Sequence, residues 1–356
     1  MSGVDLLIVG TQGPGGIGQY ITEQRRHLDG EIDFSIQQIG DFSTAGVLAF
    51  LRSVLLILGN ALAFTRRSPP DVLHVHSSYR FSFYRAGFYV LFATHVWNRP
   101  VVLHIHGSSF DEFVRTAPLP VRWYQSIVFD AAAEILVLSA GWKDVVALRA
   151  DREKITTLPN AVDADDYGSA FEGGVPHVAF VSTLSERKGV PELLAAAEEL
   201  LDSGMEFRLS IAGKGTFSPR VEAFAAAHGD VEYLGFVSEA EKQELLGAAS
   251  IFVLPSHAEG LPIALLEAMA AGNAVVSTTA GAIPEVVDEG GLLVAPGDAT
   301  ELAAALAELI DDPERAAAMG RHNRRLAGER YAWSTATAAL LDTYEHHAER
   351  SRAIAH

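Results

Sequence analysis

The chain contains no cysteine, and only five of its 27 basic residues are lysine: Lys143, Lys154, Lys188, Lys214 and Lys242. Without a thiol there is no disulfide, no thiolate metal site and no cysteine nucleophile, which fits a cytoplasmic enzyme. Basic charge is scarce altogether. Forty-five acidic residues against 27 basic ones leave a formal net charge of −18 over 356 residues. Such a surface repels a phosphate backbone, so no nucleic-acid partner is expected, and an anionic ligand needs a local pocket of cations and amides. Acidic, lysine-poor composition resembles proteins of salt-rich cytoplasm, although a GC-rich genome favours arginine over lysine in the same way. The opening MSGVDLLIVG lacks a basic segment ahead of its apolar run, so it reads as a strand and no signal peptide is expected. The longest apolar stretch, Val47 to Arg67, is interrupted by Arg52 and Asn60. A helix half-buried in an N-terminal domain is the expectation. The alternative is peripheral contact with a bilayer, helped by Arg66, Arg67 and the aromatic run Phe81–Phe92.

What is present is apolar sequence in a regular order. Hydrophobic residues make up 49% of the chain, enough for two cores at this length. DLLIVG, DVLHVHS, PVVLHIHG and EILVLSA are short apolar runs, each closed by Gly, Ser or a polar cluster, with helical stretches between them. Continuous runs of this kind read as buried parallel strands. Asp163 to His177, DADDYGSAFEGGVPH, breaks the rhythm with Gly, Pro and acid and reads as a linker. The pattern then restarts with HVAFVS, FRLSIAG, VEYLGF, SIFVLPS, AVVST and GLLVAP. The reading is an α/β chain of two doubly wound domains, 1–165 and 175–330, with 331–356 as a closing helix. Ligands are expected in the cleft between the domains, outside the carboxyl ends of the strands.

The densest chemistry lies in LPSHAEGLPIALLEAMAAGNAVVSTTAGAIPEVV, Leu254 to Val287. Glu259 falls in a loop, Pro262 where a helix starts, and Glu267 inside that helix. Free amides and the positive end of the helix dipole suit a diphosphate. A loop carboxylate can accept hydrogen bonds from sugar hydroxyls, and one on the helix can hold both hydroxyls of a ribose. In FVSTLSERKGV, Arg187 and Lys188 stand beside the next helix start, where two cations can neutralise a departing pyrophosphate.

This stretch, with GAIPEVV and GLLVAPGD after it, resembles the E-x7-E signature of the retaining glycosyltransferases of family 4 of the GT-B fold, two Rossmann-like domains facing across a cleft. The resemblance covers nearly the full chain, is most specific in the second half, and implies that 331–356 packs back on the first domain. It implies transfer of a sugar from a UDP- or GDP-sugar to a glycan, lipid-linked or small-molecule acceptor, with retention and with no bound cofactor or metal. Glu259 would contact the donor sugar, Glu267 the ribose, and Gly260, Leu261, Pro262 and Ile263 would line the donor. Lys188 matches the family's lysine. Thr183, after Ser182, stands where the family has arginine, so Arg187 is the candidate to supply that cation. A non-catalytic nucleotide-sugar-binding protein and a GT-B epimerase are the alternatives.

In the first half, TQGPGGIGQY follows the first strand. It lacks G-x-G-x-x-G and the acidic ribose ligand of a dinucleotide site, so NAD is not expected. In the family such a loop lines the cleft opposite the donor phosphates, a role for Gly15, Gly16 and Gly18. His74 and His76 share one strand face, as do His104 and His106. No acidic ligand accompanies them at a fixed spacing, so packing rather than metal binding is the expectation. His106-Gly107 matches the family's His-Gly near the donor sugar and acceptor, and His76 would line the acceptor side. The expected location is cytoplasmic, or peripheral at the inner face of the cell membrane.

Overall fold

The computed structural model describes residues 2–11, 13, 15–39, 47–168 and 174–355, with backbone alone for 2, 47–51, 354 and 355. Gln12 and Pro14 of the first glycine-rich loop and 169–173 of the expected linker lie outside that set. The chain divides into one unit of Met1–Pro159 with Ser334–His356 and a second of Asn160–Trp333.

The first unit is built on six strands, β1 (Ser2–Gly10), β2 (Ile32–Gln38), β3 (Val72–Ser77), β4 (Val101–Ile105), β5 (Glu134–Val137) and β6 (Ile155–Thr157). They form one parallel sheet in the order β2-β1-β3-β4-β5-β6. Between them run α1 (Gly16–Leu28), α2 (Val47–Thr65), α3 (Phe81–His95), α4 (Phe110–Arg115), α5 (Leu119–Ala131) and α6 (Ala140–Val146). Every residue of β3 and β4 is buried, which is why these strands read as unbroken apolar runs with histidine as the only polar intrusion before Ser77. Phe83, Phe110 and Phe129 are fully buried and anchor the core on one face of this sheet.

The second unit repeats the plan with β7 (His177–Val181), β8 (Arg208–Ala212), β9 (Val231–Gly235), β10 (Ile251–Leu254), β11 (Ala274–Thr278) and β12 (Gly291–Val294). Their order is β12-β11-β10-β7-β8-β9, again all parallel. The helices are α7 (Val190–Asp202), α8 (Ser218–Ala227), α9 (Glu239–Ala248), α10 (Ile263–Ala271), α11 (Ile283–Val287), α12 (Ala299–Asp311) and α13 (Pro313–Arg330). Strand order reverses between β7 and β10, the position in such a sheet where ligand-binding loops are placed. α10 starts behind Pro262 and stops at Gly272, whose φ of 81° only glycine adopts freely.

The closing helix, α14 (Trp333–Ala355), packs in the first unit. The Tyr344 hydroxyl accepts from the Gln24 amide at 2.9 Å, and His347 Nε2 lies 3.0 Å from Glu134 Oε2. The first boundary falls earlier than the sequence suggests, because residues 160–168 are held by the second unit. Val162 pairs with Ala332, its amide donating to Tyr331 O at 2.7 Å, and Arg324 donates to Tyr167 O at 3.0 Å.

No helix among the described residues is long and apolar enough to cross a membrane. α2 instead carries Leu55, Leu58 and Leu62 at 70%, 60% and 51% exposure while Phe64 at its end is fully buried. That is the half-buried helix expected from its sequence.

Candidate active site

Glu259 and Lys188 come from the two strands that flank the reversal in the second unit. The chain leaving β7 enters a short 3-10 turn, Glu186–Lys188, and passes through Gly189 into α7. Gly189 has φ 72°, and a Cβ there would lie 1.9 Å from Pro255 O, so only glycine lets this turn lie against the loop that leaves β10. Backbone contacts zip the two loops: His257 N donates to Arg187 O at 2.8 Å, and Arg187 Nη1 donates to Ala258 O at 2.9 Å.

The loop itself is braced from two further sides. Gly281, with φ 59°, would place a Cβ 1.9 Å from Glu259 O, and Ala282 N donates to Gly260 O at 2.9 Å. Asn160 Nδ2 donates to Leu261 O at 2.6 Å. The GAIPEVV and LPNAVD segments therefore shape the loop that carries Glu259.

In that frame Lys188 Nζ donates to Glu259 Oε1, and Arg187 Nη1 lies 3.8 Å from Glu259 Oε2. The side chains of Lys188 and Glu259 are 12% and 6% exposed, against 43% for Arg187. Burial outweighs the attraction of Glu259 and holds the Lys188 ammonium below its ordinary pKa. Thr183, at the position where the family has arginine, is exposed. Gly260, Leu261 and Pro262 are buried and Ile263, the first residue of α10, is half-buried.

Glu267 sits about one turn into α10 and is almost fully buried. Its Oε1 accepts from Lys242 Nζ at 2.7 Å, and Tyr167 hydrogen-bonds the same carboxylate. Burial depresses the Lys242 pKa, but Glu267 and Glu239 outweigh it and the net shift is upward. Burial, reinforced by Glu267, drives the Tyr167 phenol far above its usual range. Neither partner was singled out from the sequence. The available signal was compositional: Lys242 is one of only five lysines, and it lies on the buried side of α9.

The first unit brings the four histidines together at the ends of β3 and β4. His76 Nδ1 and His106 Nε2 are 2.9 Å apart, and the His104 and His106 ring centroids 3.9 Å. His76 is 2% exposed, so its polar reach runs through the half-buried His106. Of the loop glycines, Gly18 is sterically required, since a Cβ there would lie 2.1 Å from Gly13 O. Gly15, with φ 144°, precedes α1, and Gly15 and Gly16 face open space.

Two units, each built on a six-stranded parallel sheet, are of the GT-B class. The family described as glycosyl transferases group 1 matches residues 175–312, and the glycosyl transferase 4-like domain matches residues 3–161. Among relatives, the phosphatidyl-myo-inositol mannosyltransferase of Mycolicibacterium smegmatis is 30% identical over 77% of this chain and 71% of its own length. The alpha-maltose-1-phosphate synthase of the same organism is 33% identical over 62% of this chain and 65% of its own length. Sucrose-phosphate synthase from Thermosynechococcus elongatus shares the fold at TM-score 0.79 and 16% identity, covering 96% of this chain and 98% of that one. Anabaena Alr3699/HepE in complex with UDP-glucose does so at TM-score 0.72 and 18% identity, with 96% and 99% covered. The chain belongs to the group 1 glycosyl transferases, family 4.

Proposed function

We propose that this protein transfers a hexose, with retention of anomeric configuration, from a UDP- or GDP-sugar to a glycan or lipid-linked acceptor. The observation that carries the reading is the contact of Lys188 and Arg187 with Glu259 on adjoining loops. Here Lys188, with Arg187 in place of the cation missing at Thr183, stabilises the leaving diphosphate as its charge develops, and the amides at the start of α10 add to it. Glu259 accepts hydrogen bonds from the sugar hydroxyls. Glu267 holds the ribose. Gly260 to Ile263 line the donor. With no enzyme nucleophile assigned, attack from the leaving-group face through an oxocarbenium-like state accounts for retention, and the two cations do the work a metal would otherwise do.

In the first unit, His106 positions the sugar or acceptor, and His76 fixes its tautomer. Gly15, Gly16 and Gly18 bring backbone amides toward the phosphates. A groove of about 480 Å³ lined by Tyr79, Phe81, Tyr84 and Phe113 is suited to stacking against an acceptor. Exposed Leu55, Leu58 and Leu62 on α2 and Phe81 on α3 support peripheral contact with the inner face of the cell membrane and a lipid-linked acceptor. The mannosyltransferase relative, which acts on phosphatidyl-myo-inositol, supports the same choice, and the UDP-glucose in the Anabaena structure supports the donor class.

The test is thermal stabilisation by a panel of nucleotides and nucleotide sugars. A ligand at a hundred times its dissociation constant adds about 2.7 kcal/mol. A selective response to UDP or GDP forms that disappears in Glu267→Ala supports the donor site and names the base. A folded sample that responds to none of them refutes it. Failure to co-sediment with anionic vesicles refutes the membrane contact alone.

A further inference from the structure

The transfer chemistry uses His106 and its partner His76, and leaves His74 and His104 without a task. Alternation along β3 puts His74 and His76 on one face, and the parallel register sets His76 directly beside His104 on β4. Exposures are 0%, 2% and 0% for His74, His76 and His104. One ligating nitrogen from each ring lies within 4.8 Å of the other two.

Their hydrogen bonds are one-sided. His74 Nδ1 meets the Tyr344 hydroxyl at 2.6 Å and the Gln24 amide at 3.0 Å, and His76 Nδ1 meets His106 Nε2 at 2.9 Å. The Nε2 atoms of His74 and His76, and both ring nitrogens of His104, meet no partner. Leaving buried polar nitrogens unpaired is costly, and the three rings that carry them are gathered in one place. A histidine that ligates a metal uses one ring nitrogen and fixes its tautomer by a hydrogen bond at the other. His74 and His76 already have that arrangement.

We propose that His74, His76 and His104 bind a first-row divalent cation, with Zn²⁺ as the best chemical match. Imidazoles without carboxylate neighbours suit zinc, copper or nickel and disfavour magnesium and calcium. Two histidines at i and i+2 with a third from the next strand make a three-nitrogen site whose fourth position goes to water or hydroxide. Zn–N bonds of about 2.0–2.1 Å put ligating nitrogens about 3.4 Å apart, so the rings have at most ~1.4 Å to close. Of the four clustered histidines only His106 is less than fully buried, so the ion and its water enter on that side. The ion ties β3 to β4 and, through His74 and Tyr344, secures α14. Binding free energy at such a site is folding free energy.

The test uses the full chain, stripped with a chelator, dialysed against micromolar ZnSO₄ and assayed for metal content and melting temperature. The expected result is one Zn²⁺ per chain with a raised melting temperature. Both effects are lost in His104→Phe, which keeps an aromatic ring at that position, and kept in His228→Gln, a control at a half-buried histidine of the second unit. Should His104→Phe fail to fold, the Co²⁺-loaded wild type decides, since a tetrahedral nitrogen-ligated site absorbs strongly in the visible. Zinc-free folded protein, a stoichiometry unchanged in His104→Phe, or only the weak spectrum of octahedral Co²⁺ overturns the proposal. None of these readouts involves sugar transfer.

Discussion

Replacing Lys242 by methionine removes the ammonium that Glu267 faces inside the second unit. Lys242 Nζ is 2.7 Å from Glu267 and also 2.7 Å from Glu239. The two carboxylates differ in their surroundings: the Glu267 side chain is 5% exposed and that of Glu239 is 71%. Lys242→Met therefore leaves Glu239 in water but takes the ammonium away from a buried carboxylate. Removing one member of a buried pair costs about 3–5 kcal/mol. Glu267→Gln is milder, at about 1–3 kcal/mol, because the amide still accepts a hydrogen bond and Lys242 keeps Glu239. The double variant Lys242→Met/Glu267→Leu removes the charge and its counterion together and falls closest to wild type.

Equilibrium urea unfolding near pH 7 gives the three values in one experiment. The reasoning fails if Lys242→Met costs less than about 1 kcal/mol, the range of exposed pairs, or if the double variant is the least stable. Alkaline pH supplies an independent check. The Lys242 pKa is raised in the fold, since Glu267 and Glu239 outweigh burial, so its contribution is complete below the ordinary value of 10.5 and is lost as pH rises through the folded value. Wild type thus loses stability above about pH 10.5 more steeply than Lys242→Met does.

Lys188→Ala removes the cation assigned to the leaving group and lowers kcat about 10²–10³-fold, the effect of losing one electrostatic donor, with the circular dichroism spectrum unchanged; normal turnover would take Lys188 out of the mechanism. Gly281→Ala forces a Cβ against Glu259 O at a backbone φ of 59°, so it costs about 1–3 kcal/mol and lowers transfer by moving the loop; a fully active, fully stable variant would show that the brace is dispensable. Burial raises the Glu134 pKa, but hydrogen bonds from His347 and Thr156 outweigh it and the net shift is below 4.5. That stability is present above about pH 4.5 and lost as pH falls through the folded value, so Glu134→Gln should flatten the acid limb of the stability curve; identical limbs would refute the assignment.

The fold was legible because its strands are buried on both faces. DVLHVHS, PVVLHIHG, SIFVLPS and AVVST stand out as apolar runs because β3, β4, β10 and β11 have no solvent-facing side. The boundary was less legible. Pro, Gly and acid mark 163–177 as non-repetitive, but composition does not record that Val162 pairs with Ala332, or that Arg324 caps Tyr167 O. Those contacts join segments far apart in sequence, and they assign 160–168 to the second unit.

The site divides along the same line. Glu259, Glu267 and Lys188 were readable because each lies in a strand-to-helix loop or the helix after it, and the spacing within one β-α unit is local information. Lys242 and Tyr167 come from α9 and from the segment before β7, so their convergence on Glu267 depends on packing that no local spacing encodes. Alternation similarly predicted which histidines share a strand face, while the β3–β4 register alone determines that His76 sits beside His104. The missing arginine at Thr183 shows why this matters. From sequence it is a lost cation, whereas in the fold Arg187 already lies 3.8 Å from Glu259, anchored by Ala258 O. A cation therefore reaches this loop from the next turn of chain, and the side chain at position 183 is left exposed without leaving the loop uncharged.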